Sequence, residues 1–247
     1  QQAVQQGEDG LNAWIKEWVL DIPSHEAYLD RLGEDRVKRL YATAQNQLED
    51  RSLSFPTEQT PEYTDLEMMA VAAGRMIEDV VRKGDYRFIQ AGPGIAMPAT
   101  FLAYSSLRAD EYDVELMIGW GHYGFRPLNP GFAGLGNLST PKMYGDMYEM
   151  YAYLLNGPDS PSLGILGIGE IDRYANINVH RLADGTYLSG GGGHNDCAMG
   201  AGEVLVTGRM SPRRFRDDLG FITTPGDQIR TAVTDLGVLR KVGEDRE

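Results

Sequence analysis

Cysteine is nearly missing from this sequence, since Cys197 is the only one in 247 residues. One thiol closes no intrachain disulfide, so an oxidising compartment is not implied. Histidine is scarce as well: His25, His122, His180 and His194 are scattered, and together with one cysteine they give no zinc-ligand spacing. Nowhere do the roughly 18 apolar residues of a spanning helix run together. The beginning, QQAVQQGEDG, carries neither the basic nor the apolar part of a signal peptide, which points to the cytoplasm, while a start at Gln1 leaves room for a leader ahead of it. Positive charge is also short, with 23 Lys and Arg against 36 Asp and Glu and a formal charge of -13. So acidic a surface opposes general attraction to nucleic acid or anionic lipid; neither is an expected partner, although a local basic patch can still hold a small anion. Repeats and linker-like low-complexity stretches are absent too.

What remains is an ordinary globular composition, 42% apolar and 24% charged, with a concentration of glycine in one place. Gly190 to Gly193 are consecutive and stand directly before His194, Asn195 and Asp196. Glycine loses more backbone entropy on folding than any other residue, so four in a row suit a backbone that must turn sharply or approach something closely. A loop that merely tolerates glycine is the plainer alternative.

Two patterns succeed one another along the chain. In residues 1–60 the spacing predicts a helix from Ala13 through Leu20 capped by Asn12. After a break at Ile22, Pro23 and Ser24, a second helical stretch runs from His25 to Arg51, with Gly33 as an interruption. Two short helices make a poor core, so this segment is expected to pack on the body or on another chain. From about residue 61 the pattern alternates. Thr64 and Glu67 form a capping box opening a helix with Leu66, Met69, Ala73, Met76, Ile77 and Val80 on its apolar side. Strands are expected at 86–91, 114–120, 163–171 and 203–208, a helix at 147–157, and a closing hairpin near 231–235 and 237–241. The glycine- and proline-dense stretch 124–146 reads as loop. Strands alternating with helices predict an α/β domain over 61–247, preceded by a helical extension over 1–60.

Taken singly, the candidate sites are weak. Gly92, Pro93 and Gly94 follow a strand and precede a helix, a place where free backbone N–H groups can face an oxyanion or phosphate, but the spacing is not that of a dinucleotide loop. His194 and Asp196 could orient one another or hydrogen-bond loop backbone. Cys197, among small residues, reads as inert, and Ser189 lacks the G-x-S-x-G elbow.

In combination the motifs are more specific. YTDLEMMAVAAGRMI at 63–77, GPG at 92–94, GEIDRYANIN at 169–178, SGGGGHNDCA at 189–198, TPGD at 224–227 and VTDLGVL at 233–239 occur in this order. In them the chain resembles the beta, or B-type, subunits of family I CoA-transferases, such as glutaconate CoA-transferase and its hydrolase and decarboxylase relatives. The resemblance implies a doubly wound, mostly parallel sheet with helices on both faces. It also implies an A-type (alpha) partner subunit in a heterodimer or heterotetramer, no tightly bound cofactor, and coenzyme A as part of a thioester substrate. In such transferases a glutamate on a strand of the beta subunit attacks the thioester, forms an anhydride and then carries CoA. Gly92 and Gly94 match one loop near the bound thioester, and Gly191, Gly192, Gly193 and Asn195 match the other.

The chain departs from the family at the nucleophile. LMIGWG at 116–121 puts Gly119 where the glutamate stands. Glu115 lies about 13 Å back along an extended strand, too far to replace it. His122 as general base and Tyr123 as oxyanion donor are the nearest candidates, with packing as the plainer role. The resemblance thus implies an acyl-CoA enzyme subunit acting by hydrolysis or hydrolytic C–C (ring) cleavage. Transfer with a nucleophile supplied elsewhere, decarboxylation, or a noncatalytic assembly subunit are the alternatives. The glycine loops are expected to meet the thioester end of such a ligand, with Arg213, Arg214 and Arg216 balancing Asp217 and Asp218.

Overall fold

The computed structural model describes residues 7–49, 62–127 and 140–242. By contact the chain falls into two compact units, Gln1–Arg51 and Ser52–Glu247. The expected division at 60/61 lies within residues 50–61, outside the described residues, as does most of the expected loop at 124–146.

In the first unit α1 spans Gly7–Ile15 and runs on into a π-helical turn, Lys16–Leu20. Asn12 therefore lies inside the helix and is not its cap, because Leu11, Trp14 and Ile15 keep helical spacing across it. Ser24 caps α2 (His25–Leu32), accepting a hydrogen bond from the Ala27 N–H at 3.2 Å. Gly33, with φ of 81°, ends α2 and α3 (Glu34–Glu49) follows at once, so the stretch expected as one helix is two. Neither α2 nor the π-helical turn has a buried residue.

The second unit opens on the expected capping box. Thr64 Oγ1 accepts from the Glu67 N–H at 3.2 Å, and the Glu67 carboxylate accepts from the Thr64 N–H at 2.7 Å. These bonds favour the ionised form and lower the Glu67 pKa. Helix α4 (Asp65–Gly84) buries Met69, Ala70, Ala73, Ile77, Val80 and Val81. Each fully buried side chain of the Ile or Val kind contributes about 1.5–3 kcal/mol. Leu66, expected on that side, is 43% exposed.

The remaining elements are β1 (Phe88–Ala91), α5 (Ala96–Ala109), β2 (Glu115–Ile118), β3 (His122–Tyr123), β4 (Met143–Tyr144) and a π-helical segment, Glu149–Leu154. They are followed by β5 (Ser162–Gly167), β6 (Glu170–Ile171), β7 (Ile177–Asn178), α6 (His194–Gly200), β8 (Glu203–Thr207), β9 (Ile229–Val233) and β10 (Val238–Arg240). The strand expected over 163–171 breaks after Gly167. There Ile168 N–H still bonds Thr207 O at 2.9 Å, but the chain then leaves to pair β6 with β7.

The main sheet has the order β10-β9-β8-β5-β1-β2-β3-β4. Its centre, from β9 through β8, β5 and β1 to β2, is parallel, and antiparallel strands close both edges. Side chains alternate as the pleat requires. Leu116, Ile118, Leu163, Ile165 and Leu205 join the core under α4 and α5. Met117, Val204 and Val206 join the opposite core with Met150 and with Cys197 and Ala198 of α6. Helices on both faces of a mostly parallel sheet are the architecture expected. After β1 the chain crosses to β2 on one side, while β5 pairs on the other, so the carboxyl ends of β1, β2 and β5 diverge around a crevice, the usual place for a ligand in an open α/β sheet.

Candidate active site

A cavity of about 830 Å³ opens at those strand ends. Gly92 to Ile95 follow β1, Gly119 and Trp120 follow β2, Ile168 to Glu170 follow β5, and Gly208 and Arg209 follow β8; the glycine loop from Gly190 to Gly193 and Tyr151 are also part of the wall. Gly92, Gly94, Gly191, Gly192 and Gly193, expected from two separate loops, are thus brought together.

The two loops use their backbone differently. The Gly92 N–H already donates to Ile165 O at 2.8 Å, so it is not the free donor the sequence suggested; continuation of the β1–β5 ladder consumes it. The N–H groups of Gly191, Gly192 and Gly193 meet no backbone acceptor among the described residues. Gly192 has φ of 51°, and a Cβ there would meet nothing within 4 Å.

His194 fixes this loop. One ring nitrogen lies 2.7 Å from Thr224 Oγ1 and the other 2.9 Å from Gly167 O, an arrangement that suits a neutral ring with Nε2–H donating to the carbonyl. Burial lowers its pKa, only partly opposed by the bond to Gly167. His194 therefore ties the glycine loop to the end of β5; of its two expected roles it takes the bond to backbone and not the pairing with Asp196. Asn195 is exposed and does not line the cavity, because it points away from the face of α6 that packs on the sheet. Ser189 Oγ donates to Val179 O at 2.6 Å. Cys197 is fully buried, and desolvation raises its pKa well above the ordinary thiol value, in keeping with an inert thiol.

His122 and Tyr123 are not brought to the cavity either. The short antiparallel strand β3 turns back from β2 and carries them away: His122 is buried edge-on against Tyr144, and Tyr123 packs edge-on against Phe88. Burial lowers the pKa of His122. The space beside Gly119 is filled instead by Tyr151. A Cβ built on Gly119 would overlap the Tyr151 hydroxyl and lie 2.6 Å from its Cε2, and a Cβ on Gly193 would do the same. The ring is thus wedged between the end of β2 and the start of α6, and glycine at both positions is a condition of its being there.

Among the described residues, Glu170 is the acid that lines the cavity. It is 9% exposed, and its Oε2 accepts from Asn178 Nδ2 at 2.6 Å. Sequence reasoning passed over it because it sits inside GEIDRYANIN, which carried only the family resemblance, beside a turn at Asp172. Asp172 of that turn is structural, accepting from the N–H groups of Tyr174 and Asn176, each at 2.9 Å. Of the expected basic cluster, Arg213 and Arg214 line the cavity beside Arg209, while Arg216 bonds Pro212 O at 3.5 Å. Arg214 donates to Ile168 O; Arg209 and Arg213 have no ion pair among the described residues, so the expected balance with Asp217 and Asp218 is not what holds them.

Comparison with known proteins agrees with this geometry. Over 170 residues the chain is 33% identical to the B-type subunit of 3-oxoadipate CoA-transferase from Pseudomonas knackmussii, an alignment covering 66% of this chain and 62% of that one. The chain is thus similar to the beta, or B-type, subunits of family I CoA-transferases. The chain spans 62% of the length of that curated relative. No family model matches it. In fold it is similar to glutaconate coenzyme A-transferase from Acidaminococcus fermentans, with a TM-score of 0.62 at 19% identity over 76% of this chain and 78% of the other. The decarboxylase AibA/AibB gives a TM-score of 0.58 at 19% identity, over 72% and 73% of the two chains. Within this CoA-transferase-like chain, no group of three His, Cys, Asp or Glu among the described residues could hold a metal ion. No helix among them is long and apolar enough to cross a membrane.

Proposed function

We propose that this chain is the beta-type subunit of a heteromeric enzyme that acts on an acyl-CoA thioester by hydrolysis, including hydrolytic C–C cleavage within a ring. The observation that carries the reading is that Tyr151 fills the volume where a side chain of residue 119 would begin, at the position where the family resemblance puts the glutamate. A glutamyl anhydride cannot form at residue 119. Glu170 is the acid left in the cavity, and Asn178 holds one of its oxygens while the other is free to take a proton from water. In thioester hydrolysis the water oxygen bonds to the thioester carbon, its proton passes to Glu170, and the carbon–sulfur bond breaks to release CoA thiolate, which is protonated. In ring cleavage the water oxygen bonds to a ring ketone carbon, the adjacent C–C bond breaks, and its electron pair leaves as an enolate that takes up the proton, with the thioester intact. The free N–H groups of Gly191 to Gly193 face the developing oxyanion. Arg209 and Arg213 give the cavity a cationic side that suits a carboxylate on the acyl group or the phosphates of CoA.

A carboxylate at 170 also supports a second reading, transfer of CoA between carboxylic acids with Glu170 as nucleophile. Decarboxylation of a carboxyacyl-CoA and a noncatalytic assembly role are further outcomes that a single assay series separates. The chain, co-expressed with an A-type subunit that completes the site, would be given glutaconyl-CoA, 3-oxoadipyl-CoA and other carboxyacyl and oxoacyl thioesters. Thioester hydrolysis releases free CoA with water alone, at a rate indifferent to added acceptor acid, and ring cleavage of a cyclic oxoacyl-CoA gives an opened carboxyacyl-CoA, one water heavier, with no CoA released. Release only with an acceptor, together with a new thioester, would overturn hydrolysis in favour of transfer; carbon dioxide would mark decarboxylation. A stable, fully active homomer would exclude an obligatory partner. A cytoplasmic setting, where acyl-CoA thioesters are formed and consumed, goes with this reading. So does the division into a helical extension over 1–60 and a catalytic domain over 61–247.

A further inference from the structure

Tyr151 and Gln90 form a polar pair with unused hydrogen-bonding capacity. Tyr151 stands on the π-helical segment Glu149–Leu154, the kind of local widening that frequently marks functional sites. Its ring reaches the floor of the cavity through the space that Gly119 and Gly193 leave open from two different elements. Gln90, on β1, is 3% exposed, and its Nε2 donates to the Tyr151 hydroxyl at 3.4 Å. With that bond accepted, the phenol's own proton has no acceptor among the described residues, and Gln90 Oε1 is buried with no partner. With the amide reversed the phenol would donate to Gln90 Oε1 and the buried Nε2 would be the atom without a partner, so in either orientation the pair holds a buried polar group that nothing among the described residues satisfies. Nearly all buried polar side-chain atoms are paired, so one left unpaired in the wall of a cavity calls for an explanation. Desolvation, with smaller contributions from Cys197 and Asp196, raises the Tyr151 pKa far above its ordinary value, so the phenol keeps its proton throughout the working pH range.

We infer that Tyr151 is a catalytic residue that donates a hydrogen bond from its hydroxyl to the carbonyl oxygen of the bound acyl thioester, and that Gln90 is the positioning residue that aims it. The inference rests on the acyl-CoA reading. It assigns to the place vacated by the family's nucleophile a neutral donor, which stabilises negative charge on the carbonyl oxygen and forms no covalent bond. Such a donor serves attack by any nucleophile, and it acts more strongly as the oxyanion develops than on the resting carbonyl.

The test uses the full chain in its complex, with glutaconyl-CoA and 3-oxoadipyl-CoA as substrates. The probe is the ketone analogue of glutaryl-CoA in which a methylene replaces sulfur. Tyr151→Phe keeps the ring and removes only the oxygen. Expected are a fall in kcat of about 10²-fold, the usual loss with one oxyanion donor, and a KM changed by less than about threefold. The lowered infrared carbonyl frequency of the bound ketone should also disappear. Gln90→Met should give a smaller loss of kcat and a partial loss of the band shift. If Tyr151→Phe does not fold, 3-fluorotyrosine at 151, a stronger donor of nearly the same size, should enlarge the shift. A kcat within twofold of the parent, or a carbonyl band that ignores residue 151, would overturn the assignment while leaving the acyl-CoA reading intact. If the unaltered complex neither binds the ketone nor turns over either thioester, the acyl-CoA reading falls and the role of Tyr151 falls with it.

Discussion

Restoring a side chain at residue 119 should damage the fold before it affects chemistry. In Gly119→Ala the new Cβ overlaps the Tyr151 hydroxyl and lies 2.6 Å from Cε2, closer than real Cβ contacts approach. The ring has little room to withdraw, since Gly193 bounds it from α6 as closely as Gly119 does from β2, and Tyr151 packs against the core beneath α6. Overpacking of this kind costs about 1–3 kcal/mol. For a domain of this size that corresponds to a fall in Tm of very roughly 2–12 °C. Tyr151→Leu removes the obstructing ring at its own cost, and the second substitution then meets open space. In a double-mutant cycle followed by urea unfolding, Gly119→Ala with Tyr151→Leu should therefore be less destabilised than the sum of the two, by about 1–2 kcal/mol, within the range for residues in contact. Gly193→Ala should couple to Tyr151→Leu in the same sense. Strict additivity in both cycles would refute the argument that these glycines are required by the ring. By the same reasoning Gly119→Glu should not create transfer of CoA while Tyr151 is present, and appearance of a glutamyl-CoA adduct trapped by borohydride or hydroxylamine would contradict it.

Gly192→Ala should behave differently, because its Cβ would meet nothing within 4 Å and only the left-handed φ of 51° opposes it. A loss of stability of about 1–2 kcal/mol and a fall in turnover of about 10²-fold are expected if the loop closes on the thioester, and full turnover with an unchanged melting curve would exclude that contact. The pH dependence of stability should carry the mark of His194. Its folded pKa is depressed by burial, so the unfolded chain takes up the proton first. The stabilisation is complete above the unfolded value near 6.5 and is lost as pH falls from there towards the folded value. Melting temperatures between pH 8 and pH 5.5 should decline less steeply in His194→Gln, and an equal decline would assign the effect elsewhere, His122 being the other buried histidine whose shift has the same sign.

Periodicity and end signals were enough for the frame of this protein. The capping box at Thr64 and Glu67, the apolar side of α4, the strand-turn-helix at Gly92 to Gly94 and the closing hairpin are all written locally, because capping, pleat alternation and turn chemistry depend on neighbours a few residues apart. The order of motifs also carried the likeness to CoA-transferase beta subunits, and with it the expectation that Gly119 stands where they have a glutamate. Three things depended on the tertiary structure. Adjacent residues in an extended segment face opposite ways, so standing beside Gly119 in the sequence did not bring His122 or Tyr123 to the site; the reversal into β3 carried them off. Tyr151, far along the chain on an irregular helix, came to that site because two glycines from different elements left it a slot. Glu170, Arg209 and Arg213 became cavity residues through the divergence of strands at the sheet's carboxyl edge. A local pattern records which residues can form an element, whereas the residues that meet at a site are chosen by strand order and crossover, which no window of neighbouring residues contains.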